Sequence, residues 1–300
     1  MSEATPGQRV RLARHSGFCF GVQRAIEMAL EAAHSPSRVY ALGPLIHNKQ
    51  VVSQLEELGV TSVERVEDAT GGVLLIRTHG VPSSVIEEAR ALGVQVVDTT
   101  CPFVRRVHER ARALRDEGYE VVIVGEHDHP EVVGIMGWIG GEGHIVEHPE
   151  DVAELPPLRQ VGVVAQTTQT LRNLSDCTRE LLARCREVRV FNTLCDATMQ
   201  RQTSAEELSR EVGAMVVVGG LHSGNTRRLA EICAATGTPT YHIETAGDID
   251  AGWFRDLPPD ADLGVTAGAS TPDAAIREVV QALEEMLGAD SGPAIGSSTR

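Results

Sequence analysis

Three of the six cysteines, Cys19, Cys101 and Cys195, hold equivalent places in a repeated pattern. Each follows a short β-like run and precedes a helical stretch: Val22 to Ala32, Val104 to Glu117 and Met199 to Val212. Counting 24 residues on from each cysteine reaches a glycine, Gly43, Gly125 and Gly219; counting 28 on reaches His47, His129 and Ser223. A thiol at a helix N-terminus meets the positive end of the dipole and free N–H groups, which lower its pKa and favour a bound anion. Soft thiolates select iron–sulfur, zinc or copper. Three of them are one short of the usual four for a [4Fe–4S] cluster, which leaves one iron open to a substrate oxygen. A closed zinc site would want a fourth ligand and closer spacing.

The elements that must position these groups alternate between β and α. Val121-Val-Ile-Val124 and Met215-Val-Val-Val218 are apolar runs without polar alternation, as suits strands buried on both faces of a parallel sheet. A second strand and polar loop follow in each unit: Leu74-Leu-Ile before Arg77-Thr-His-Gly80, Val161-Gly-Val-Val before Gln166-Thr-Thr168, and Leu263-Gly-Val-Thr266 before Ala269-Ser-Thr-Pro272. The repeat predicts an α/β fold of three similar units, 10–100, 101–193 and 194–287, with 1–9 and 288–300 as disordered tails. In a parallel sheet the loops after the strands gather at one edge, where ligands bind. If the units face inward, the three cysteines converge with His47, His79, His129, Thr167, Ser223, Asn225 and Ser270.

Composition narrows the function classes. The formal net charge of -15 argues against a nucleic-acid partner. Lys49 is the only lysine, so no Walker A lysine exists. Any phosphate must be gripped by histidines, hydroxyls, amides or backbone N–H groups. No apolar run approaches a membrane span, and Met1 to Arg9 lacks the apolar core of a signal peptide. A cytoplasmic protein with no disulfide framework is expected.

Each residue also has a bland reading. Cys177, Cys185 and Cys233 lie in helical patterns and read as small buried hydrophobes. His15, His34, His108, His144, His148, His222 and His242 read as surface or capping residues. Thr167 reads equally as an N-cap, and Ser270-Thr-Pro-Asp also reads as a helix start.

The ordered set Gly17-Phe-Cys-Phe-Gly-Val22, His47-Asn48, Thr78-His-Gly-Val81, Thr100-Cys-Pro102, His129-Pro-Glu131, Gln166-Thr-Thr168, Cys195-Asp-Ala-Thr198 and Thr266-Ala-Gly-Ala-Ser270 resembles the 4-hydroxy-3-methylbut-2-enyl diphosphate reductase family, from about Val10 to about Leu287. The resemblance implies a pseudo-threefold trefoil of α/β domains around a central [4Fe–4S] cluster held by Cys19, Cys101 and Cys195. It implies reductive removal of an allylic hydroxyl from that diphosphate, giving isopentenyl and dimethylallyl diphosphates, with electrons from a ferredoxin or flavodoxin. His47, His79, His129, Ser223, Asn225 and Ser270 would hold the diphosphate, and Glu131 with Thr167 would deliver a proton. One departure is Ser223-Gly-Asn225 where the family usually carries Ser-Ser-Asn, so Gly224 offers only its backbone N–H. The rival readings are a non-redox iron–sulfur dehydratase acting on a diphosphate ester, a regulatory iron–sulfur sensor that binds a diphosphate without turnover, and a structural zinc protein.

Overall fold

The computed structural model describes residues 9–290. In chain order its elements are β1 (Val10–Leu12), α1 (Phe20–Ala33), β2 (Val39–Leu42), α2 (Lys49–Glu57), β3 (Val60–Val63), β4 (Val73–Ile76), α3 (Ser83–Ala91) and β5 (Gln95–Asp98). There follow α4 (Pro102–Asp116), β6 (Glu120–Val124), α5 (Pro130–Trp138), β7 (Gly143–Val146), β8 (Gln160–Ala165), α6 (Leu171–Arg184) and β9 (Glu187–Val190). The last are α7 (Asp196–Ser209), β10 (Ala214–Val218), α8 (Gly224–Ala235), β11 (Thr240–Ile243), β12 (Leu263–Ala267) and α9 (Asp273–Asp290). The chain divides into two compact units, Cys19–Met199 and the segments on either side of it.

Among the described residues the strands form three four-stranded sheets, ordered β3-β2-β4-β5, β7-β6-β8-β9 and β1-β12-β10-β11. All their pairings are parallel. Read from the other edge, the third sheet is β11-β10-β12-β1, so β1 fills the place that β5 and β9 fill in the other two. The sequence reading placed Val10 in the first unit; its strand instead pairs β12, with Val10 opposite Leu263. Each cysteine therefore follows the edge strand that completes the preceding sheet. The expected tails 1–9 and 288–300 fall largely outside the described residues. Within them, Arg9 donates its N–H to Asp262 and α9 continues to Asp290.

The apolar runs are buried on both faces, as a parallel sheet between helices requires. In β6, Val121 and Ile123 pack with Val107, Ala111 and Leu114 of α4 and Ile135 of α5. Val122 and Val124 point the other way, to Leu174, Cys177 and Leu181 of α6. The third sheet repeats this: Met215 and Val217 meet Leu229 and Cys233 of α8, and Ala214, Val216 and Val218 meet Ile276, Val279 and Leu283 of α9. Cys177 and Cys233 are thus the small hydrophobes expected of them. Cys185 is not helical; it caps α6 in an extended conformation and is partly exposed.

Glycines in β8 and β12 make room for the side chains packed on those strands. A Cβ on Gly162 of β8 would lie 2.6 Å from Leu114 Cδ2, so the missing side chain is what lets α4 sit down on the sheet. Gly264 of β12 does the same for Met215 and, at 3.3 Å, Leu208. Since α4 starts at Cys101, this packing also sets where that thiol stands. Gly162→Ala is expected to lower the midpoint of thermal unfolding by an overpacking cost of about 1–3 kcal/mol. An unchanged midpoint would show that Leu114 moves aside without cost.

Candidate functional site

In the unit Cys19–Met199, each cysteine meets a helix start. Cys19 is the N-cap of α1 and Cys101 the N-cap of α4, neither with a side-chain capping bond, and Cys195 directly precedes α7. Two of the backbone N–H groups are tied to the polar loops: Cys101 N–H donates to Thr78 O at 3.0 Å and Cys195 N–H to Thr167 O at 3.0 Å. The sulfurs converge. A Cβ on Gly21 would lie 2.5 Å from Cys101 Sγ and 3.9 Å from Cys19 Sγ, and only a glycine there leaves room for both. Cys101 feels the charge of Cys19 and Cys195, and Cys195 that of Cys19.

Burial pushes the Cys101 thiol up to about 11, against the pull of the Phe103 and Val104 N–H groups. Cys195 is raised for the same reason, against the N–H groups of Thr198 and Ala197. The helix N-termini do lower these thiols as expected, but desolvation is the larger effect. Among the described residues no three His, Cys, Asp or Glu side chains form a group that could hold a single metal ion. A cluster asks something different: each thiolate takes its own iron, so three neighbouring sulfurs with no shared focus suit it. The donor chemistry of three neighbouring thiols is compatible with an iron–sulfur cluster, which Cys19, Cys101 and Cys195 would hold.

The same unit brings three imidazoles together. The ring centroid of His79 is 4.2 Å from that of His47 and 5.6 Å from that of His129, and His47 and His129 are 5.7 Å apart. Burial first, then the neighbouring His47, His129 and Arg77, hold His79 well below the ordinary histidine range. Its Nδ1 is buried without a hydrogen-bond partner, the mark of a group awaiting a ligand. His129 is the N-cap of α5, and its Nδ1 accepts the Glu131 N–H at 3.1 Å. That bond fixes the neutral tautomer with Nε2 as the donor. His47 sits one place earlier in its unit, because Asn48 takes the cap of α2.

Glu131 is 1 % exposed. Its Oε1 accepts the Thr167 N–H at 2.6 Å and its Oε2 the Thr167 hydroxyl at 2.9 Å. Desolvation raises its pKa to about 7, and the two Thr167 bonds only partly oppose it. The reading of Thr167 as an N-cap falls: α6 is capped by Thr170, whose side chain accepts from Asn173 N–H. Thr167 instead links Glu131 to Cys195 through its three polar groups.

The other unit presents its residues at the start of α8. Ser223 is the N-cap, its Oγ accepting from Thr226 N–H, and Gly224 is the first helical residue. Asn225 is 6 % exposed, yet both its side-chain polar atoms are buried without hydrogen-bond partners. Thr226 Oγ1 and Thr266 Oγ1 are in the same state. Ser270 is buried just past β12. A Cβ on Gly219 would lie 2.5 Å from Thr271 Oγ1, so the glycine clears the mouth of this helix. Free amides and unmet donors at a helix N-terminus suit an anion.

Sequence reasoning missed Thr226, which lies next to Asn225, and Arg201, whose guanidinium donates to the carbonyls of Gly17 and Phe18 at 2.9 and 3.2 Å. It also missed His108, expected as a surface or capping residue but 3 % exposed. No motif marks Arg201 or His108; helical periodicity on α4 would have placed His108 on the apolar face one residue after Val107.

Residues 10–284 match the LytB protein family. Among curated proteins, 4-hydroxy-3-methylbut-2-enyl diphosphate reductase of Pelobacter propionicus is 50% identical over 93% of this chain and 98% of its own. The protein of the same name from Geobacter sulfurreducens is 48% identical over 91% of this chain and 96% of its own. A solved structure of (E)-4-hydroxy-3-methyl-but-2-enyl diphosphate reductase, described as the terminal enzyme of the non-mevalonate pathway, is 44% identical, covers 93% of this chain and 99% of that one, and superposes with a TM-score of 0.68. The E-1-hydroxy-2-methyl-but-2-enyl-4-diphosphate reductase of Plasmodium falciparum is 27% identical over 92% of this chain and 88% of that one, with a TM-score of 0.86. Thiols at three helix starts, a histidine trio and a buried carboxyl thus recur in a chain alike over nearly its whole length to proteins of a single name, and the chain belongs to the LytB protein family.

Proposed function

We propose that the chain is an iron–sulfur reductase that converts 4-hydroxy-3-methylbut-2-enyl diphosphate to isopentenyl and dimethylallyl diphosphates. The reaction consumes two electrons and two protons and releases the hydroxyl oxygen as water. The observation that carries the reading is Glu131: a carboxyl group buried next to a phosphate-binding histidine trio, raised to about 7 and tied through Thr167 to a cysteine. A carboxylate has no place beside an anion unless it carries a proton to give, and burial keeps that proton on near neutral pH.

In this reading His47, His79 and His129, with Ser223, Gly224, Asn225 and Ser270, bind the diphosphate. Imidazole N–H groups donate to phosphate oxygens, as His129 Nε2 can while its Nδ1 accepts the Glu131 N–H. Cys19, Cys101 and Cys195 hold a [4Fe–4S] cluster, which supplies the electrons and a Lewis-acidic iron when bound. Thr167 holds the Glu131 carboxyl in place, its hydroxyl donating to Oε2; when the carboxyl is protonated the bond can reverse, Oε2–H donating to Thr167 Oγ1 while the hydroxyl turns to the leaving oxygen. The binding groups anchor the diphosphate so that the other end of a short substrate meets this pair. The electrons come from a ferredoxin or flavodoxin, and the reaction belongs to the cytoplasm. The described residues contain no helix long and apolar enough to cross a membrane.

Cys19→Ser, Cys101→Ser and Cys195→Ser are each expected to lose or cripple the cluster, since a hydroxyl ligates iron–sulfur clusters poorly. Cys177→Ser, Cys185→Ser and Cys233→Ser should keep it. Iron and sulfide analysis of anaerobically purified protein checks this, and a Cys101→Ser protein with full iron content would overturn the ligand assignment.

Glu131→Gln should keep the cluster and bind substrate but lose about 10²–10⁴-fold in kcat, assayed with excess chemical reductant. Because the acid works protonated and its pKa is raised, kcat of the parent should hold below pH 7 and fall as pH rises through about 7. The same sign applies to stability: Glu131 binds its proton more tightly in the native state than in the unfolded chain, so its contribution is present at low pH and lost as pH rises through about 7. Turnover by Glu131→Gln within a few-fold of the parent would assign the proton to another group.

Gly224 is a helical position that any L-residue adopts, and it is not among the glycines with positive φ. Gly224→Ser should therefore leave kcat unchanged and lower KM, the new hydroxyl donating to a phosphate oxygen. A marked rise in KM would mean that the bound diphosphate needs the space the glycine leaves.

A further inference from the structure

The active-site residues of the unit Cys19–Met199 come from separate elements: His79 from the loop after β4, His129 and Glu131 from the start of α5, and Cys101 from the start of α4. Something must keep these three in register, and the packing behind them points to one side chain. His108, two turns into α4, is 3 % exposed and stacks on Trp138 of α5, centroids 5.4 Å apart and planes within 17°. Its ring fills the space between two glycines. A Cβ on Gly80 would lie 2.6 Å from His108 Cε1 and 3.3 Å from Nε2; a Cβ on Gly134 would lie 3.3 Å from the same Nε2 and 3.6 Å from the His79 carbonyl oxygen. Gly80 has φ +73°, so position 80 needs glycine on both counts.

The rest of the seam runs the same way. A Cβ on Gly137, one turn on from Gly134, would strike Pro82. Trp138 Nε1 donates to Val81 O at 3.0 Å. The loop 79–82 thus lies in a groove of α5 floored by Gly134 and Gly137, with the imidazole of His108 closing it from α4. Beside the ring is a cavity of about 300 Å³ lined by Val81, Ile86, Thr100, Arg105, His108 and Trp138, among others. The loop has room to shift toward it once the ring is gone.

We infer that His108 is a positioning residue for the diphosphate reaction: its ring, wedged between Gly80 and Gly134, holds the His79 loop and the helix of His129 and Glu131 at one fixed spacing. It acts through His79 and Glu131 and touches neither substrate nor cluster. Burial holds it down at about 4, so the ring stays neutral wherever the enzyme works.

The inference rests on the reductase reading, and the test separates the two. His108→Ala is compared with the parent for iron content, for inorganic pyrophosphate binding by calorimetry, and for kcat and KM with excess chemical reductant. Iron content is expected to stay full, while KM and the pyrophosphate dissociation constant rise about tenfold, a loss of about 1.4 kcal/mol of grip. Val152→Ala, which empties a buried site in the core beside α6, serves as the control for lost stability alone and should leave both constants unchanged. Gly134→Ala in the parent should raise KM by crowding the imidazole, whereas in the His108→Ala background its methyl enters the vacated space and should bring KM back toward the parent, a non-additive pair. Parental KM and pyrophosphate affinity in His108→Ala, or additive losses in the double variant, would overturn the positioning role. A parent that neither binds pyrophosphate nor turns over would sink the reductase reading and the inference with it.

Discussion

The two bonds from Thr167 to the Glu131 carboxyl are what the catalytic half of the structure depends on. A carboxyl group at 1 % exposure would be costly if its oxygens were unmet, and here both are met by one residue. The same residue's carbonyl accepts the Cys195 N–H. A single loop position after β8 therefore fixes the buried carboxyl and one thiol together. The equivalent loop after β4 has the same logic, with Thr78 O accepting the Cys101 N–H next to His79. In each case the polar loop after the strand also anchors the start of the helix that carries a cysteine.

The balance of forces differs between the two kinds of site. At the thiols, burial outweighs the helix N–H groups and leaves Cys101 and Cys195 harder to ionise than a free cysteine. A metal cluster held by these thiols would have to displace their protons, and the metal–sulfur bonds would have to exceed that cost. At the histidines, burial and mutual repulsion keep His79 neutral until a negative charge arrives. His79 in one unit, and Asn225, Thr226 and Thr266 in the other, keep buried polar atoms without a hydrogen-bond partner.

Much of this was legible in the spacing of Cys19, Cys101 and Cys195, because a repeat converts equal offsets into equal places at a sheet edge. The α/β class followed from the unbroken apolar runs at Val121 and Met215. What the sequence could not convey is contact between chain-distant groups. Thr167 read equally as a cap because Thr170, three residues on, is an equally good capping type, and only the Glu131 contact separates them. His108 read as a surface residue because histidine carries no period of its own, and its place depends on the absent side chains of Gly80 and Gly134. The first unit was assigned β1 because unit boundaries were drawn in chain order, while the sheet closes with the strand that comes first.

That last pairing governs the order in which the molecule can be made. Val10 to Leu12 are synthesised well ahead of their partner β12, which begins at Leu263. At the usual rates of synthesis, about 5–20 residues per second, the first strand waits on the order of ten seconds or more before its partner exists. The sheets of β2 to β5 and of β6 to β9 draw on consecutive stretches of chain and can assemble as they appear. The third cannot, and the segment that carries Arg9 to Leu12 lacks its strand partner in the nascent chain until β12 has been made.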